Sequence, residues 1–300
     1  MYEDVILIRP PCEAYSVLIG VTEGCSWAQR TSGCKFCGVY NGKELIQRYR
    51  VRPWDSIKND IDITWYEHGP VATRAFLAGG NALSAPTDLL LMTLQHLHDR
   101  FPRLKQVSSY AKNHDILRKS DAELQQLATA GLTIVYMGLE SGSDAVLKYM
   151  NKGTTAAGML RAARKVMNAG IQLSVYVVLG LGGNKFPDHA EATARVLTAM
   201  NPHYIRFRSL NFIPNAPLYD EWQRGEFIEL RPVEILQEQL EIVKSLGEEV
   251  SSHVLNDHVS NFASIDGKLP EDKARMVNAL KNAIDDPCMK SLPHINRTSM

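Results

Sequence analysis

Residues 17–38 read VLIGVTEGCSWAQRTSGCKFCG, a short apolar strand followed by a loop rich in glycine and cysteine. The loop holds Cys25, Cys34 and Cys37. Two thiolates separated by two residues lie on one tight turn and face one metal centre, and soft thiolate ligands suit zinc or an iron–sulfur cluster. Three cysteines leave one iron of a cluster open to a cofactor or substrate, so this stretch predicts an iron–sulfur catalyst.

Two other interpretations of these cysteines stay open. A structural zinc site needs a fourth ligand, and no candidate lies at a zinc-finger spacing. The candidates are Cys12, His114, His253 and His258. The cysteines could also be ordinary buried residues, although core packing does not explain their clustering.

Outward from this loop, apolar runs rich in β-branched residues recur at intervals of roughly one β/α unit. Stretches of helical period lie between them, and Ser120 with Glu123 forms a capping box at the start of one. Strands separated by helices predict parallel pairing, although periodicity does not choose between a partial barrel and an open sheet. The predicted strands are Val17–Val21, Ala75–Ala78, Gln106–Tyr110, Ile134–Leu139, Leu173–Leu179 and Tyr204–Leu210.

The composition is that of an ordinary globular protein. The chain has 300 residues, 45% hydrophobic and 22% charged, with a formal net charge of +0. This balance gives no support to a nucleic-acid partner, and no apolar run approaches the roughly 18 residues that cross a bilayer. The N-terminus is acidic and lacks the features of a signal peptide, and the clustered cysteines fit metal chemistry in a reducing compartment. We therefore predict a cytoplasmic protein without membrane or nucleic-acid partners.

With a cysteine triplet after its first strand and Phe36 between the last two cysteines, the chain resembles the radical S-adenosylmethionine (SAM) superfamily. Nearly the whole sequence is similar to a group of proteins related to oxygen-independent coproporphyrinogen oxidase. The segments that carry this likeness are Ser108–Ala111, Tyr136–Asp144, Asn151–Gly153, Leu179–Gly183 and Asp257–Asn261. One departure concerns the usual C-x3-C-x2-C motif, because eight residues separate Cys25 from Cys34. Since these residues are mostly small or polar, we expect a loop bulge there.

The resemblance implies an α/β fold, a partial (β/α)6 TIM-like barrel in residues 1–218. Residues 219–300 are expected to form C-terminal helices and a tail that pack on the barrel, with loop structure from Asp285 to Met300. It also implies a [4Fe–4S] cluster on Cys25, Cys34 and Cys37. The open iron then chelates SAM, and an electron from the cluster cleaves SAM, usually to methionine and a 5′-deoxyadenosyl radical.

Cofactor contacts are also implied by the resemblance. Phe36 is one of the residues expected to contact the cofactor. Three others, Gly79, Gly80 and Asn81, follow the second predicted strand, where the superfamily usually has Gly-Gly-Glu. The family holds the SAM amino group there, so Asn81 replaces a charge-assisted contact with a neutral one. The alternative is a plain turn between strand and helix.

Further polar residues end the later strands, where ligands gather in parallel α/β folds. The resemblance implies that Ser109, Glu140 and Ser141 contact the ribose or amino acid part of SAM. The alternative for Glu140 is a cap on the next helix. Gly180 begins a glycine-rich turn that suits close backbone approach to the adenine.

Arg206 and Arg208 alternate along the sixth predicted strand and therefore lie on one face. On an interior face, two unpaired cations are costly unless an anion is bound. One arginine would then bind the SAM carboxylate and the other a substrate acid. On an edge strand both would be solvated.

The resemblance places His258 and Asn261 in the substrate pocket, where His258 would suit acid–base work. The two remaining cysteines, Cys12 and Cys288, are too few to hold a second cluster. Each is best interpreted as an ordinary free thiol. Arg208, His258 and Asn261 are thus the predicted catalytic residues.

The predicted function is reductive cleavage of SAM at one cluster, followed by radical attack on a small, anionic organic substrate. The predicted electron donor is of flavodoxin or ferredoxin type. Three rivals stay open, namely 3-amino-3-carboxypropyl or methyl transfer by the cluster, a non-catalytic zinc module, and a porphyrin-directed decarboxylase.

Overall fold

The computed structural model describes residues 7–40 and 48–293. Within them, the chain divides into two compact units. The first comprises residues 7–32, 48–137 and 161–173, and the second comprises residues 33–40, 138–160 and 174–293. The division at residue 218 that the sequence suggests remains a prediction about folding units.

The strands alternate with helices along most of the chain. They are β1 (Val17–Gly20), β2 (Thr22–Glu23), β3 (Arg50–Val51), β4 (Arg74–Ala78), β5 (Gln106–Ala111), β6 (Leu132–Glu140), β7 (Gln172–Leu179), β8 (Tyr204–Ser209), β9 (His253–Leu255) and β10 (Gly267–Lys268). All six predicted strands are present, with ends that differ from the prediction by at most two residues. Their apolar, β-branched runs are bounded by glycine, proline and polar residues, which is why the pattern located them.

The main sheet has eight strands in the order β1-β4-β5-β6-β7-β8-β9-β10, and β2 pairs separately with β3. Pairing is parallel between β1 and β4, β4 and β5, β5 and β6, β7 and β8, and β8 and β9. The last pair, β9 with β10, is antiparallel. The sequence analysis missed β9 and β10 because three and two residues are too few to show a strand period.

The helices are α1 (Ser26–Thr31), α2 (Trp54–His68), α3 (Thr87–Arg100), α4 (Asn113–Arg118), α5 (Asp121–Thr129), α6 (Asp144–Tyr149), α7 (Ala156–Asn168), α8 (His189–Met200), α9 (Pro217–Gln223), α10 (Pro232–Ser245), α11 (Lys273–Asp285) and α12 (Pro287–Ser291). The capping box of α5 forms as predicted, since the Ser120 hydroxyl accepts from the Glu123 N–H and the Glu123 carboxylate accepts from the Ser120 N–H. Single 3-10 turns lie at Pro11–Glu13, Gly69–Val71, Ala82–Ser84 and Gly183–Lys185.

The expectation of loop structure from Asp285 onward is wrong within the described residues. Helix α11 extends to Asp285, and α12 follows directly. The Asp286 carboxylate accepts the Cys288 N–H at 2.8 Å, and Pro287 occupies the first helical position, so two ordinary start signals nucleate this short helix. Residues 294–300 of the predicted tail lie outside the described part of the chain.

Candidate functional site

The gap between the first two cysteines folds as a helix. Cys25 is the N-cap residue of α1, which occupies most of the eight-residue gap. At its end Ser32 and Gly33 both have positive φ, +64° and +67°, and reverse the chain before Cys34. The expected loop bulge is therefore wrong. A short helix closed by two left-handed residues takes up the extra length compactly, which the small and polar composition did not reveal.

The turn between Cys34 and Cys37 is held by neighbours in the second unit. The Cys37 N–H donates to the Cys34 carbonyl at 3.0 Å, which closes the turn predicted from the two-residue spacing. The Lys35 N–H donates to the Met150 carbonyl at 3.0 Å, and the Asn151 side-chain amide donates to the Gly33 carbonyl at 2.7 Å. The corner at residues 150–151 therefore fixes the backbone that carries two of the predicted ligands.

The three thiols are chemically suited to a cluster. All are half-buried and free of disulfide bonds, with Cys25 in the first unit and the other two in the second. In the described part of the chain, no three Cys, His, Asp or Glu side chains form a group that could hold a metal ion. A [4Fe–4S] cluster binds each thiolate to a different iron, so its ligands are spaced more widely than those of a single ion. A soft, three-thiolate donor set fits such a cluster with one open iron.

The glycines after β4 lie against the backbone around Cys25. Gly79 has φ +128°, and a Cβ there would overlap Thr22. The Gly80 N–H donates to the Gly24 carbonyl at 3.0 Å, and a Cβ on Gly80 would approach the Cys25 Cα and Cβ to 3.0 Å. Both glycines are therefore required by close backbone packing next to the first predicted ligand.

Asn81 is 1% exposed, and its amide is bonded within the protein. Its nitrogen donates to the Ser26 hydroxyl at 2.7 Å and to the Asp115 carboxylate at 2.6 Å, while its oxygen accepts the Ser26 N–H at 3.3 Å. Burial raises the pKa of Asp115, against the lowering effect of the Asn81 hydrogen bond. Asp115 was not among the predicted site residues, because a single aspartate in the first turn of a short helix carries no sequence signal.

Glu140 ends β6 with a positive φ of 63°, which is unusual for a residue with a side chain. Its Oε1 accepts from the Lys152 ammonium at 2.7 Å, and that ammonium lies 5.9 Å from the centre of the Phe36 ring. A Cβ on Gly138 would overlap the Glu140 carboxylate, so glycine there makes room for the ion pair. The alternative that Glu140 caps the next helix is wrong, since α6 begins after Ser143. Lys152 lies in a segment that carried the family resemblance, but nothing in the sequence marked it as a partner of Glu140.

The two predicted serines bond locally to the backbone. The Ser109 hydroxyl donates to the Tyr110 carbonyl at 3.1 Å, and the Ser141 hydroxyl accepts the Ser143 N–H at 3.0 Å. Both residues are buried, Ser141 directly after the end of β6 and Ser109 within β5, two residues before its end. The placement of Ser141 agrees with the expectation, whereas Ser109 does not end its strand, and contact of either residue with SAM remains a prediction.

The turn after β7 is fixed by a buried ion pair. The Gly180 N–H, at a residue with φ +77°, donates to Glu238 Oε1 at 2.6 Å. The other Glu238 oxygen lies 3.1 Å from His189 Nδ1. Burial by itself lowers the pKa of His189, but the Glu238 carboxylate outweighs it and the net pKa is raised. Sequence reasoning missed both residues, because they come from two helices far apart in the chain.

Arg206 and Arg208 lie on one face of β8, as the alternation predicts. Because β8 lies between β7 and β9, the edge-strand alternative is wrong. Arg206 is 8% exposed and donates from Nε to the Ser174 hydroxyl at 3.1 Å. The Arg208 guanidinium carbon lies 4.5 Å from the centre of the Tyr176 ring.

The segment after β9 is tied to the end of β8. The Asn261 amide donates to the Phe207 carbonyl at 2.8 Å and accepts from the Ser209 hydroxyl at 3.3 Å. His258 Nδ1 lies 2.8 Å from the Ser260 hydroxyl and accepts the Ser260 N–H at 3.2 Å. Asn261 thus holds the segment in place, and substrate contact by His258 or Asn261 remains a prediction.

The remaining cysteines differ in surroundings. Cys12 Sγ lies 3.4 Å from the Tyr136 hydroxyl, next to a buried polar cluster, whereas Cys288 is exposed on α12. Both are free thiols.

A family model for the radical SAM superfamily matches residues 19–197, more than half of the chain. The chain belongs to the radical SAM superfamily. This protein is therefore an enzyme, and its cofactors are a [4Fe–4S] cluster and SAM. The matched residues include the cysteine triplet, the glycines after β4 and the ends of β5, β6 and β7. The predicted fold class, the α/β architecture of radical SAM barrels, is confirmed.

Curated relatives match only a part of this radical SAM chain. The tRNA uridine(34) acetyltransferase of Methanocaldococcus infernus is 24% identical over 120 residues, which cover 39% of this chain and 22% of that protein. The same enzyme from Methanocaldococcus jannaschii is 20% identical over 119 residues. The matched stretch thus spans about a fifth of the length of these relatives.

Solved radical SAM structures resemble it in fold. Methylornithine synthase has a TM-score of 0.56 at 12% identity and covers 94% of this chain and 74% of its own. The methyltransferase TsrM from Kitasatospora setae, solved with cobalamin and a [4Fe–4S] cluster, has a TM-score of 0.54 at 19% identity. The match covers 72% of this chain and 43% of TsrM. Coproporphyrinogen III oxidase from Escherichia coli has a TM-score of 0.54 at 13% identity, and the match covers 76% of this chain and 50% of the oxidase. At these identities the likeness is one of fold alone.

Among the residues that the structure describes, no helix is both long enough and apolar enough to cross a membrane.

Proposed function

We propose that this radical SAM protein reductively cleaves SAM at a single cluster held by Cys25, Cys34 and Cys37 and so starts radical chemistry on a small organic substrate. When bound, the cluster supplies the electron for this cleavage. A flavodoxin- or ferredoxin-type donor is the proposed source of that electron. The absence of a nucleic-acid partner stays a prediction, because two matched relatives are named for tRNA and share only part of this chain.

The observation that carries the proposal is the contact between Gly80 and Gly24. It places the strand-end loop, which in this superfamily approaches the amino acid part of SAM, directly against the backbone next to Cys25. Two features of the chain support the same assignment. The turn from Cys34 to Cys37 is anchored by Met150 and Asn151, and the same corner supplies Lys152 to Glu140.

The residues have separate proposed tasks. The cysteines bind the cluster, and the loop at Gly79–Gly80 contributes backbone to the SAM amino acid moiety. Because the amide of Asn81 is bonded to Ser26 and Asp115, we propose that Asn81 shapes this loop and that Asp115 supplies the negative charge beside it. Glu140, oriented by Lys152, is the proposed polar contact to SAM from the end of β6.

The test is anaerobic reconstitution of the full chain, followed by incubation with SAM and dithionite and mass spectrometry of the products. We expect a brown protein that forms 5′-deoxyadenosine and methionine. Cys34→Ala and Cys37→Ala should lose iron and cleavage together. Cys288→Ala is the matched control, because it removes an exposed thiol outside the triplet.

Other outcomes separate the rival functions. A brown protein that yields 5′-methylthioadenosine indicates 3-amino-3-carboxypropyl transfer, and a methylated product indicates methyl transfer. Wild-type protein that binds no iron, or a Cys34→Ala protein that cleaves SAM as well as wild type, would overturn the proposal.

A further inference from the structure

Two arginines on the same face of β8 have different surroundings. In the β7–β8 register, Arg206 lies opposite Tyr176 and Arg208 lies opposite Val178. Each arginine side chain contacts the β7 residue two positions before its register partner. Arg206 therefore reaches the Ser174 hydroxyl, and Arg208 reaches the Tyr176 ring. The two guanidinium groups differ in the hydrogen-bond acceptors and counter-ions that surround them.

Arg206 is bonded within the protein. Its Nε donates to Ser174 at 3.1 Å, and its Nη1 lies 3.7 Å from the Asp257 carboxylate. This guanidinium therefore has both a hydrogen-bond acceptor and a counter-ion from the chain itself. It needs no ligand to be stable at its depth.

Arg208 has neither a hydrogen-bond acceptor nor a counter-ion among the residues that the structure describes. Its Nε has essentially no contact with solvent and no hydrogen-bond acceptor. Its guanidinium carbon lies over the Tyr176 ring, 4.5 Å from the ring centre. A charged group with no acceptor within the protein is costly. Because Arg208 is only half-buried and its terminal nitrogens are not sealed off as Nε is, these N–H groups can meet an acceptor from outside.

We propose that Arg208, positioned by stacking on Tyr176, binds a carboxylate group of the substrate. The inference rests on the proposed function, because it concerns the organic substrate that reacts after SAM cleavage. The Tyr176 ring occupies one side of the guanidinium, and the forked N–H groups of an arginine match a planar, two-oxygen acceptor. The two arginines and Asp257 together leave one positive charge unbalanced, which fits a monoanionic carboxylate better than a phosphate dianion.

The probe is butyrate, with the isosteric amide butyramide and inorganic phosphate as comparisons. Reconstituted holoprotein with saturating SAM is titrated by calorimetry at constant ionic strength. We expect butyrate to bind at least tenfold more tightly than either butyramide or phosphate. Equal binding of butyrate and butyramide overturns the proposal, and a preference for phosphate overturns the choice of carboxylate.

Variants of Arg208 and Tyr176 test whether these two residues bind the butyrate. Arg208→Gln should weaken butyrate binding at least tenfold, and Arg208→Lys should recover part of it, because a point charge remains without the planar fork. Tyr176→Phe keeps the stacking ring and should bind like wild type, whereas Tyr176→Leu should weaken butyrate binding several-fold. Arg195→Gln is the matched control, since Arg195 is an exposed arginine paired with Glu191 on α8.

The readout separates this inference from the proposed function. Iron content and SAM cleavage by wild-type protein test the proposed function, while the heat of butyrate binding does not depend on cleavage. Loss of SAM binding in Arg208→Gln would assign this guanidinium to SAM and overturn its role in substrate recognition. If Arg208→Gln fails to fold, Arg208→Lys and Tyr176→Leu still decide the result.

Discussion

Glu13, in the 3-10 turn that precedes β1, and Glu140, at the end of β6, are both buried carboxylates, but their partners differ. Glu13 is 0% exposed and lies in the first unit, at the amino ends of the strands. Arg74 contributes an ion pair at 3.1 Å and Tyr136 donates its hydroxyl at 2.7 Å. Five side chains of the described residues bond to it, namely Ser16, Arg74, Gln106, Ser108 and Tyr136.

The Glu140 carboxylate has a single partner among the described residues. Lys152 binds its Oε1 at 2.7 Å, the side chain is 11% exposed, and its backbone has a left-handed φ of 63°. Such a backbone conformation costs free energy in a residue other than glycine, and proteins retain it chiefly at functional sites.

The contrast teaches how to separate structural from functional charge in this fold. A carboxylate whose bonds are all satisfied by the chain stabilises the fold and has no capacity left for a ligand. A carboxylate with spare capacity, a strained backbone and a position at the carboxyl end of a strand is suited to binding. Four predictions sharpen or break this comparison.

The largest effect is expected at Glu13. Glu13→Ala removes the acceptor of several buried donors and leaves Arg74 without its counter-ion, so it should lower the free energy of unfolding by about 3–5 kcal/mol. Urea denaturation of the full chain measures this. Glu241→Ala, on an exposed position of α10, is the control and should change stability by less than about 0.5 kcal/mol. A loss at Glu13 no larger than that of the control would contradict a structural role.

Lys152→Met tests the other carboxylate. It leaves Glu140 without its partner, so stability should fall by about 1–3 kcal/mol and SAM affinity should fall at least tenfold. Equilibrium dialysis with reconstituted protein measures the affinity. Lys148→Met, at an exposed position of α6, should leave SAM affinity as in wild type. Destabilisation without any loss of affinity would make Glu140 a structural residue like Glu13.

Asn151→Gly tests the corner that joins Glu140 to the cysteine turn. Asn151 has φ +51°, so glycine keeps the backbone conformation and removes the side chain, including its hydrogen bond to the Gly33 carbonyl. We expect a stability loss of about 1 kcal/mol and several-fold faster release of iron to a chelator. Iron release at the wild-type rate would show that the side chain does not support the turn.

The smallest effect concerns Asp115, a buried carboxyl that accepts hydrogen bonds from the Asn81 side chain and from the Lys112 backbone. Because burial raises the pKa of Asp115, the folded protein binds its proton more tightly than the unfolded chain does. Stability should therefore fall as pH rises above the ordinary aspartate pKa of about 4, and level off above the raised pKa. Relative to wild type, Asp115→Asn should remove this fall and so gain in relative stability as pH rises towards neutral.

Denaturation curves of the two proteins between acidic and neutral pH measure this difference. A wild-type advantage that grows with pH would contradict it, because the charged form would then be the stabilised one.

Much of the scaffold could be predicted because its signals are local. The six main strands follow from apolar runs between breaker residues, and the start of α5 follows from Ser120 and Glu123. The Cys34–Cys37 turn follows from a spacing of two residues. By contrast, the helix between Cys25 and Cys34 was interpreted as a bulge, because helix formation there depends on the left-handed residues that close it.

The candidate site was predicted at the level of segments and missed at the level of pairs. Glu140 and Asn151–Gly153 were both singled out, yet the ion pair that joins Lys152 to Glu140 spans two elements. The same holds for Asp115 with Asn81 and for Glu238 with Gly180. No sequence period encodes such contacts, since they depend on how separate elements pack.

The sequence by itself determined the superfamily, the strand order along the chain and the face that Arg206 and Arg208 share, because these depend on residue type and short spacing. Only the tertiary structure decided which buried charges are satisfied. Arg206 meets Ser174 and Asp257, while Arg208 meets the ring of Tyr176 and retains an unbonded Nε. The physical reason is that the cost of burying a charge depends on the partners within a few ångströms, and packing brings those partners from distant parts of the chain.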